Sequence, residues 1–217
     1  MPYKNISYNK DQNKAIIKLN RPEALNALNQ ETLSELGSAL DEIRNDPEVK
    51  VVLITAEGQK AFSAGADLKE ASSLDEAGVK ELIELGQGVY RKIDDLPKPV
   101  LVAVNGIALG GGVEMSLAGD VRVASETAKL GSPEVNIGLI PGWGGTQRLP
   151  KILGKGKAAE LILTGGVIDA KEAERVGLVD RVLSQDEFTS TVNRMASAIA
   201  AKPSTDRAEL IQLIKSV

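Results

Sequence analysis

The sequence predicts an α/β fold with a largely parallel, doubly covered sheet and a helical C-terminal region. Three features carry that expectation. Short β-branched runs stop at turn residues, amphipathic segments lie between them, and some of the strands run into glycine-rich turns. Alternation of strand and helix implies βαβ-type crossovers, which place helices on both faces of a sheet. With 217 residues, 42% of them apolar, the chain is large enough for one domain with a sizeable core. We therefore expect a single domain over 1–217, with an α/β core to about 143 and a mostly helical region over about 144–217. No linker, low-complexity segment or strict repeat marks an internal boundary.

The strands are expected at "KAIIKLN" (14–20), "VKVVLITAEG" (49–58), "VLVAVNG" (100–106) and "VRVAS" (121–125). Between the first two, Leu33, Leu36, Leu40 and Ile43 recur at spacings of three and four, and "NDP" stops the helix they define. A second helix is expected over 73–96, opened by a capping box of Ser73 and Glu76 and closed before Pro97. A third begins near Gly111 and runs through Ala118 to a stop at Gly119. "PGWGGTQR" opens another helix at a glycine turn, and no strand is expected after Leu130.

Composition removes whole classes of chemistry. The chain has no Cys and no His, so it offers no disulfide, no thiol nucleophile, no imidazole base and no imidazole metal ligand. Ser-His-Asp and Cys-His machinery are excluded with them. No GxGxxG follows a strand and no GxxxxGK[ST] occurs, which speaks against dinucleotide and P-loop binding. With 26 basic and 30 acidic residues and no long run of either sign, a nucleic-acid partner is not indicated. The N-terminus "MPYKNISYNKDQNK" is polar and no stretch has the length of a membrane span, so a cytoplasmic, soluble protein is expected. Proton transfer near neutral pH then falls to carboxylates.

Two carboxylates stand out. Glu114 interrupts the apolar run that follows Gly110, Gly111 and Gly112, about one turn into the expected helix. The first N–H groups of a helix lack intrahelical partners, and glycine lets a ligand oxygen approach them, so an oxyanion and an acid can adjoin there. A side chain at Gly111 is expected to project toward that oxyanion. An acid in a first turn is also favoured by the helix dipole alone. Glu134 lies in "GSPEVNIGLIPGWGGTQRL", whose two prolines disfavour a continuous helix. Burial in an apolar pocket would raise its pKa and suit it to general-acid work, whereas a solvated loop acid would do neither. "KAFSAGADLKE" (60–70) is a second small-residue turn after a strand, either a donor loop or a simple turn capped by Asp67. Arg148 reads as a surface cation or as part of a charge network around the site.

The segments "LNRPEALNAL", "AFSAGADLKE", "AVNGIALGGGVE", "GSPEVNIGLIPGWGGTQRL" and "LTGGVIDAKEAERVGLVDRV", in this order over roughly residues 10–185, resemble the enoyl-CoA hydratase/isomerase (crotonase) superfamily. The resemblance implies a spiral of ββα units and an acyl-CoA thioester substrate. It implies an oxyanion hole from the N–H groups of Ala66 and Gly111, with Glu114 and Glu134 as the two catalytic acids of the hydratase branch. It implies CoA contacts at Ala24 and Leu25 and along Ala64, Gly65, Ala66, Asp67 and Leu68, and an acyl pocket lined near Leu139, Ile140 and Trp143, although a lone Trp reads equally as plain core filling. No metal or separate cofactor is required, coenzyme A being part of the substrate, and a homotrimer or dimer of trimers is the implied assembly. Members of the family usually extend some tens of residues further, in helices that help to cover the acyl pocket and pack subunits. An enoyl-CoA isomerase usually lacks a carboxylate at the position matched by Glu114. Other crotonase chemistries share the oxyanion hole, and a non-catalytic acyl-CoA-binding or scaffold subunit would keep the glycines. A serine peptidase on a related spiral would need the missing His.

Overall fold

The structure, a computed structural model, describes residues 3–202 and 207–215. The first two residues of the polar N-terminal stretch and residues 203–206 and 216–217 of the C-terminal one lie outside them. The chain begins with strands β1 (Ile6–Asp11) and β2 (Lys14–Leu19), paired antiparallel, and helix α1 (Gln30–Asn45). It continues through β3 (Val51–Ala56), β4 (Ala61–Ser63), α2 (Leu68–Ala71) and α3 (Glu76–Asp94). Then come β5 (Val100–Val104), β6 (Ile107–Leu109), α4 (Gly111–Ala118), β7 (Val121–Ser125) and β8 (Lys129–Gly131). A 3₁₀ turn (Pro133–Ile137) leads to α5 (Gly145–Thr164), β9 (Val167–Asp169), α6 (Ala170–Arg175), β10 (Arg181–Leu183), α7 (Gln185–Ala200) and α8 (Arg207–Lys215).

Successive strands alternate between two sheets. The larger has the order β1-β2-β3-β5-β7-β10 and is parallel from β2 onward, and the smaller has the order β4-β6-β8-β9. Each of the pairs β3–β4, β5–β6 and β7–β8 thus gives one strand to each sheet before the chain turns into a helix, which is the spiral of ββα units. The unbroken apolar runs follow from a sheet covered on both faces. Val52, Ile54, Val100, Val102 and Val104 pack into the main core with α1, α3 and α4. The alternate residues Val51, Leu53, Leu101, Ala103 and Val123 meet Phe188, Val192 and Ala196 of α7 on the other face.

The periodic residues of α1 are all buried, and Asn29 caps it by accepting from Thr32 N at 2.9 Å. The expected start of the next helix is corrected. Ser73 belongs to the turn after α2, where its hydroxyl donates to Glu70 O at 2.7 Å, and α3 begins at Glu76 with Asp75 as its cap, accepting from Gly78 N at 2.9 Å. Aspartate and serine compete for the same role, and the chain turns sharply enough after Ala71 for the later residue to take it. The expectation of no strand after Leu130 is also corrected, by β9 and β10. Both are three-residue strands that join pre-existing sheet edges, too short to show a period. The remaining region is helical, though Gly154 (φ 75°) breaks α5 within its span. Among the described residues no helix is long and apolar enough to cross a membrane.

If Asp75 rather than Ser73 holds the α3 N-terminus, Asp75→Ala lowers the unfolding free energy by about 1 kcal/mol. Ser73→Ala has a much smaller effect. Urea unfolding of both variants checks the assignment, and a larger loss for Ser73→Ala would reverse it.

Candidate active site

Three loops converge at the head of α4 because glycines let backbone meet backbone. A Cβ on Gly65, whose φ is +93°, would lie 2.8 Å from Leu109 O and 3.2 Å from Gly111 N. The turn after β4 therefore rests directly against the turn after β6. The same turn is tied to the chain before α1, with Leu28 N donating to Gly65 O at 2.8 Å and Asp67 N to Leu28 O at 3.0 Å. Among the described residues the N–H groups of Ala66 and Gly111 donate to no other group of the chain. Two unpartnered donors thus stand on adjoining loops, one of them at the positive end of a helix.

The geometry corrects one detail. A Cβ on Gly111 would point away from this donor pair, into the indole of Trp143 and to 3.5 Å from the Tyr90 hydroxyl. Glycine is needed there by the packing beneath the site. Tyr90, fully buried on α3, donates to Gly111 O at 2.6 Å and meets the Trp143 ring edge-on at 5.7 Å. Trp143 is accordingly core, wedged between α3 and α4, while Leu139 and Ile140 are exposed, Ile140 to 79%. Of the two readings of Trp143, pocket lining and core filling, its burial between the two helices supports core filling.

Glu114 is 2% exposed. Its Oε1 accepts from Trp143 N at 2.8 Å and from Gly145 N at 2.7 Å, two N–H groups that the positive φ of Gly144 (112°) turns to the same side. Burial raises its pKa to about 7, with the two amide bonds opposing, Glu134 adding to the rise and Arg148 drawing it back. Glu134 sits at the start of the 3₁₀ turn, leaning over Gly110, where a Cβ would lie 3.0 Å from its Oε1. Both of its carboxyl oxygens are buried and have no hydrogen-bond partner on another residue. Burial pushes this carboxyl up as well, opposed only by its own backbone N–H. The structure thus brings Glu114, Glu134, Ala66 and Gly111 together around Gly110.

The residues expected to contact a coenzyme lie along one rim. Leu25 O accepts from Ala64 N at 3.0 Å, and the side chains of Leu25 and Leu68 are exposed. Ala24 ends a short 3₁₀ turn (Pro22–Ala24), and Gly65 makes the contact with Leu109 already described. Asp67 has structural partners, pairing with Arg21 at 2.9 Å and capping α2. Arg148 is held by Asp94 with its Nε at 2.9 Å and donates from Nη1 to Trp143 O at 2.9 Å, which makes it part of the charge network. The amide donors of Trp143 and Gly145 escaped sequence reasoning because backbone groups carry no residue-type signal. The paired glycines after Trp143 are the one trace of them.

Fold and site together define an α/β spiral protein with two buried carboxyls at a helix head. The chain belongs to the enoyl-CoA hydratase/isomerase family, whose model matches residues 9–216. It is 45% identical over 202 residues to crotonyl-CoA hydratase of Syntrophomonas wolfei, covering 93% of this chain and 78% of the relative. It is 43% identical to short-chain-enoyl-CoA hydratase of Clostridium acetobutylicum, covering 93% and 77%. The crystal structure of enoyl-CoA hydratase from Bacillus anthracis superposes with a TM-score of 0.95 at 40% identity, covering 97% of this chain and 82% of that one.

A raised carboxyl pKa makes the native state hold a proton that the unfolded chain has already released. Between the ordinary value of 4.5 and about 7, Glu114 therefore reduces stability as pH rises, and Glu134 acts in the same direction. Glu114→Gln should flatten the fall of unfolding free energy across that window. Equal slopes for wild type and variant in urea titrations would contradict the burial described here.

Proposed function

We propose that this chain is an enoyl-CoA hydratase, adding water reversibly and syn across the double bond of a trans-2-enoyl-CoA to give a 3-hydroxyacyl-CoA. One observation carries the reading. Two buried carboxyls, one with both oxygens unpartnered, flank two backbone N–H groups that donate to nothing else in the chain.

Attack of water on C3 moves the double-bond electrons onto the thioester oxygen. The N–H groups of Ala66 and Gly111 are preorganised to stabilise that negative charge, and they cost no reorganisation at the moment of reaction. Glu114 takes a proton from water as the oxygen–C3 bond forms, and Glu134 delivers a proton to C2, so the net change is addition of one H₂O. Proton exchange with solvent resets the pair, and dehydration reverses the roles. Their environments suit this division. The Oε1 of Glu114 is occupied by two amides, which leaves Oε2 for water, whereas both Glu134 oxygens are free of donors from other residues and burial raises its pKa, as suits a proton donor.

Ala24, Leu25, Ala64, Gly65, Asp67 and Leu68 supply the rim along which the coenzyme lies, backbone groups reading the base and exposed Leu25 and Leu68 giving apolar contact. The relatives' names point to short acyl chains. The reaction needs no metal and no cofactor beyond the coenzyme A of the substrate. A cytoplasmic homotrimer or dimer of trimers belongs to the same reading, supported by family membership and by the exposed Leu163 and Val167.

Crotonyl-CoA hydration, followed by loss of the enone absorbance, should fall by about 10²- to 10⁴-fold in Glu114→Gln and in Glu134→Gln. The double variant should lose much less than the product of the two, because groups acting on one water fail together. Chelator should leave the wild-type rate unchanged. Wild-type hydration in Glu114→Gln, or a wild type that isomerises 3-enoyl-CoA far faster than it hydrates, overturns the proposal.

A further inference from the structure

Among the described residues Arg148 is the guanidinium acting on Glu114, and its position is more specific than charge balance requires. On one side Asp94, at the end of α3, accepts from its Nε and Nη2 through the single oxygen Oδ2, which orients the guanidinium. On the other side Nη1 donates to Trp143 O at 2.9 Å. That carbonyl belongs to the peptide between Trp143 and Gly144. It lies between the two peptides whose N–H groups, on Trp143 and Gly145, hold Glu114 Oε1. Turning a carbonyl away while the N–H groups before and after it converge requires the left-handed backbone seen at Gly144, and a Cβ there would collide with Arg148 Nη1. The Arg148 N–H also donates to Gly144 O at 2.9 Å, closing the turn as the first bond of α5.

We infer that Arg148, oriented by Asp94, is a positioning residue for the reaction: it pins the Trp143 carbonyl so that the two amides stay on Glu114 Oε1 and present Oε2 in one orientation. The inference rests on the reading of Glu114 as the base. The charged and titratable groups facing Glu114 are Arg148 from α5, Glu134 from the 3₁₀ turn and Tyr90 from α3, and among them Arg148 is the cation. Asp94 lies behind it and is half-exposed. Removing Arg148 therefore takes away both the orientation and the attraction that favours ionised Glu114, and both losses raise the pH at which the base becomes available.

The test compares Arg148→Met, Arg148→Lys and Asp94→Asn with wild type, each checked for folding by circular dichroism and thermal melting. In Arg148→Met we expect kcat for crotonyl-CoA to fall by about 10²-fold, the loss that a small misplacement of a reacting group produces, with KM unchanged. We also expect the acidic limb of the kcat profile to move to higher pH. Arg148→Lys restores the limb and not the rate, since an ammonium supplies charge without the planar fork. Asp94→Asn moves both in the direction of Arg148→Met by a smaller amount, and decides the matter if Arg148→Met fails to fold. A folded variant with wild-type kcat and an unmoved limb overturns the inference, as does a loss of rate with no movement of the limb, which would mark a merely structural ion pair. Titration of ¹³C-labelled glutamate carboxyls, with Glu114→Gln assigning the resonance, reads the same shift without substrate. It therefore holds or fails on its own should hydration by the wild type be absent.

Discussion

A carboxylate almost sealed from water has to be held by donors, and the two amide bonds from Trp143 and Gly145 to Glu114 Oε1 are the contact on which the rest of the site depends. They join two distant parts of the chain, the first turn of α4 and the start of α5. To make them, the segment after the 3₁₀ turn must run back over α4. Trp143 must be buried beneath it, and α3 must leave room for an indole at Gly86. Tyr90, Trp143, Arg148 and Asp94 line one face of this junction. Their bonds run from α3 to the head of α4 and to the turn that opens α5, so the acid is positioned by the core and not by a surface loop.

The ββα repeat explains why the junction forms at this point. Each unit places one strand in the large sheet and the next in the small one, so the turns after β4, β6 and β8 stack beside one another as their strands do. The turn after β4 supplies Ala66, that after β6 supplies Gly111, and that after β8 supplies Glu134. Parallel pairing of β4, β6 and β8 points these turns the same way. Contact between them is then limited by side chains, and the glycines at 65 and 110 remove the atoms that would hold them apart.

Much of this was legible because it depends on residue type. The apolar runs of β3, β5 and β7 announced a sheet covered on both faces, and the three-four spacing of Leu33, Leu36, Leu40 and Ile43 announced α1. Glu114 and Glu134 stood out as acids in apolar company. What stayed hidden depends on position in space. Strands β9 and β10 exist because sheet edges await them, and Asp75 outcompetes Ser73 because of where the chain turns. The direction of the missing Cβ at Gly111 follows from the packing of Trp143, whose site on the far side of α4 no spacing reveals. Arg148 offered two readings in sequence, and only its bond to the Trp143 carbonyl separates them.

The contrast between the two acids is the sharper for their closeness. Both are raised by burial, yet Glu114 has two amide donors and a nearby guanidinium, whereas Glu134 has no hydrogen bond from any other residue. Each donor lowers the free energy of the anion relative to the neutral acid, so the two amides and the guanidinium work against the burial that carries Glu114 up to about 7, whereas Glu134, raised by its own burial, has no such help from another residue. Two glutamates identical in chemistry thus sit in unlike surroundings, one tied to two backbone amides beside a guanidinium and the other without a donor from any other residue, in a chain that has no imidazole.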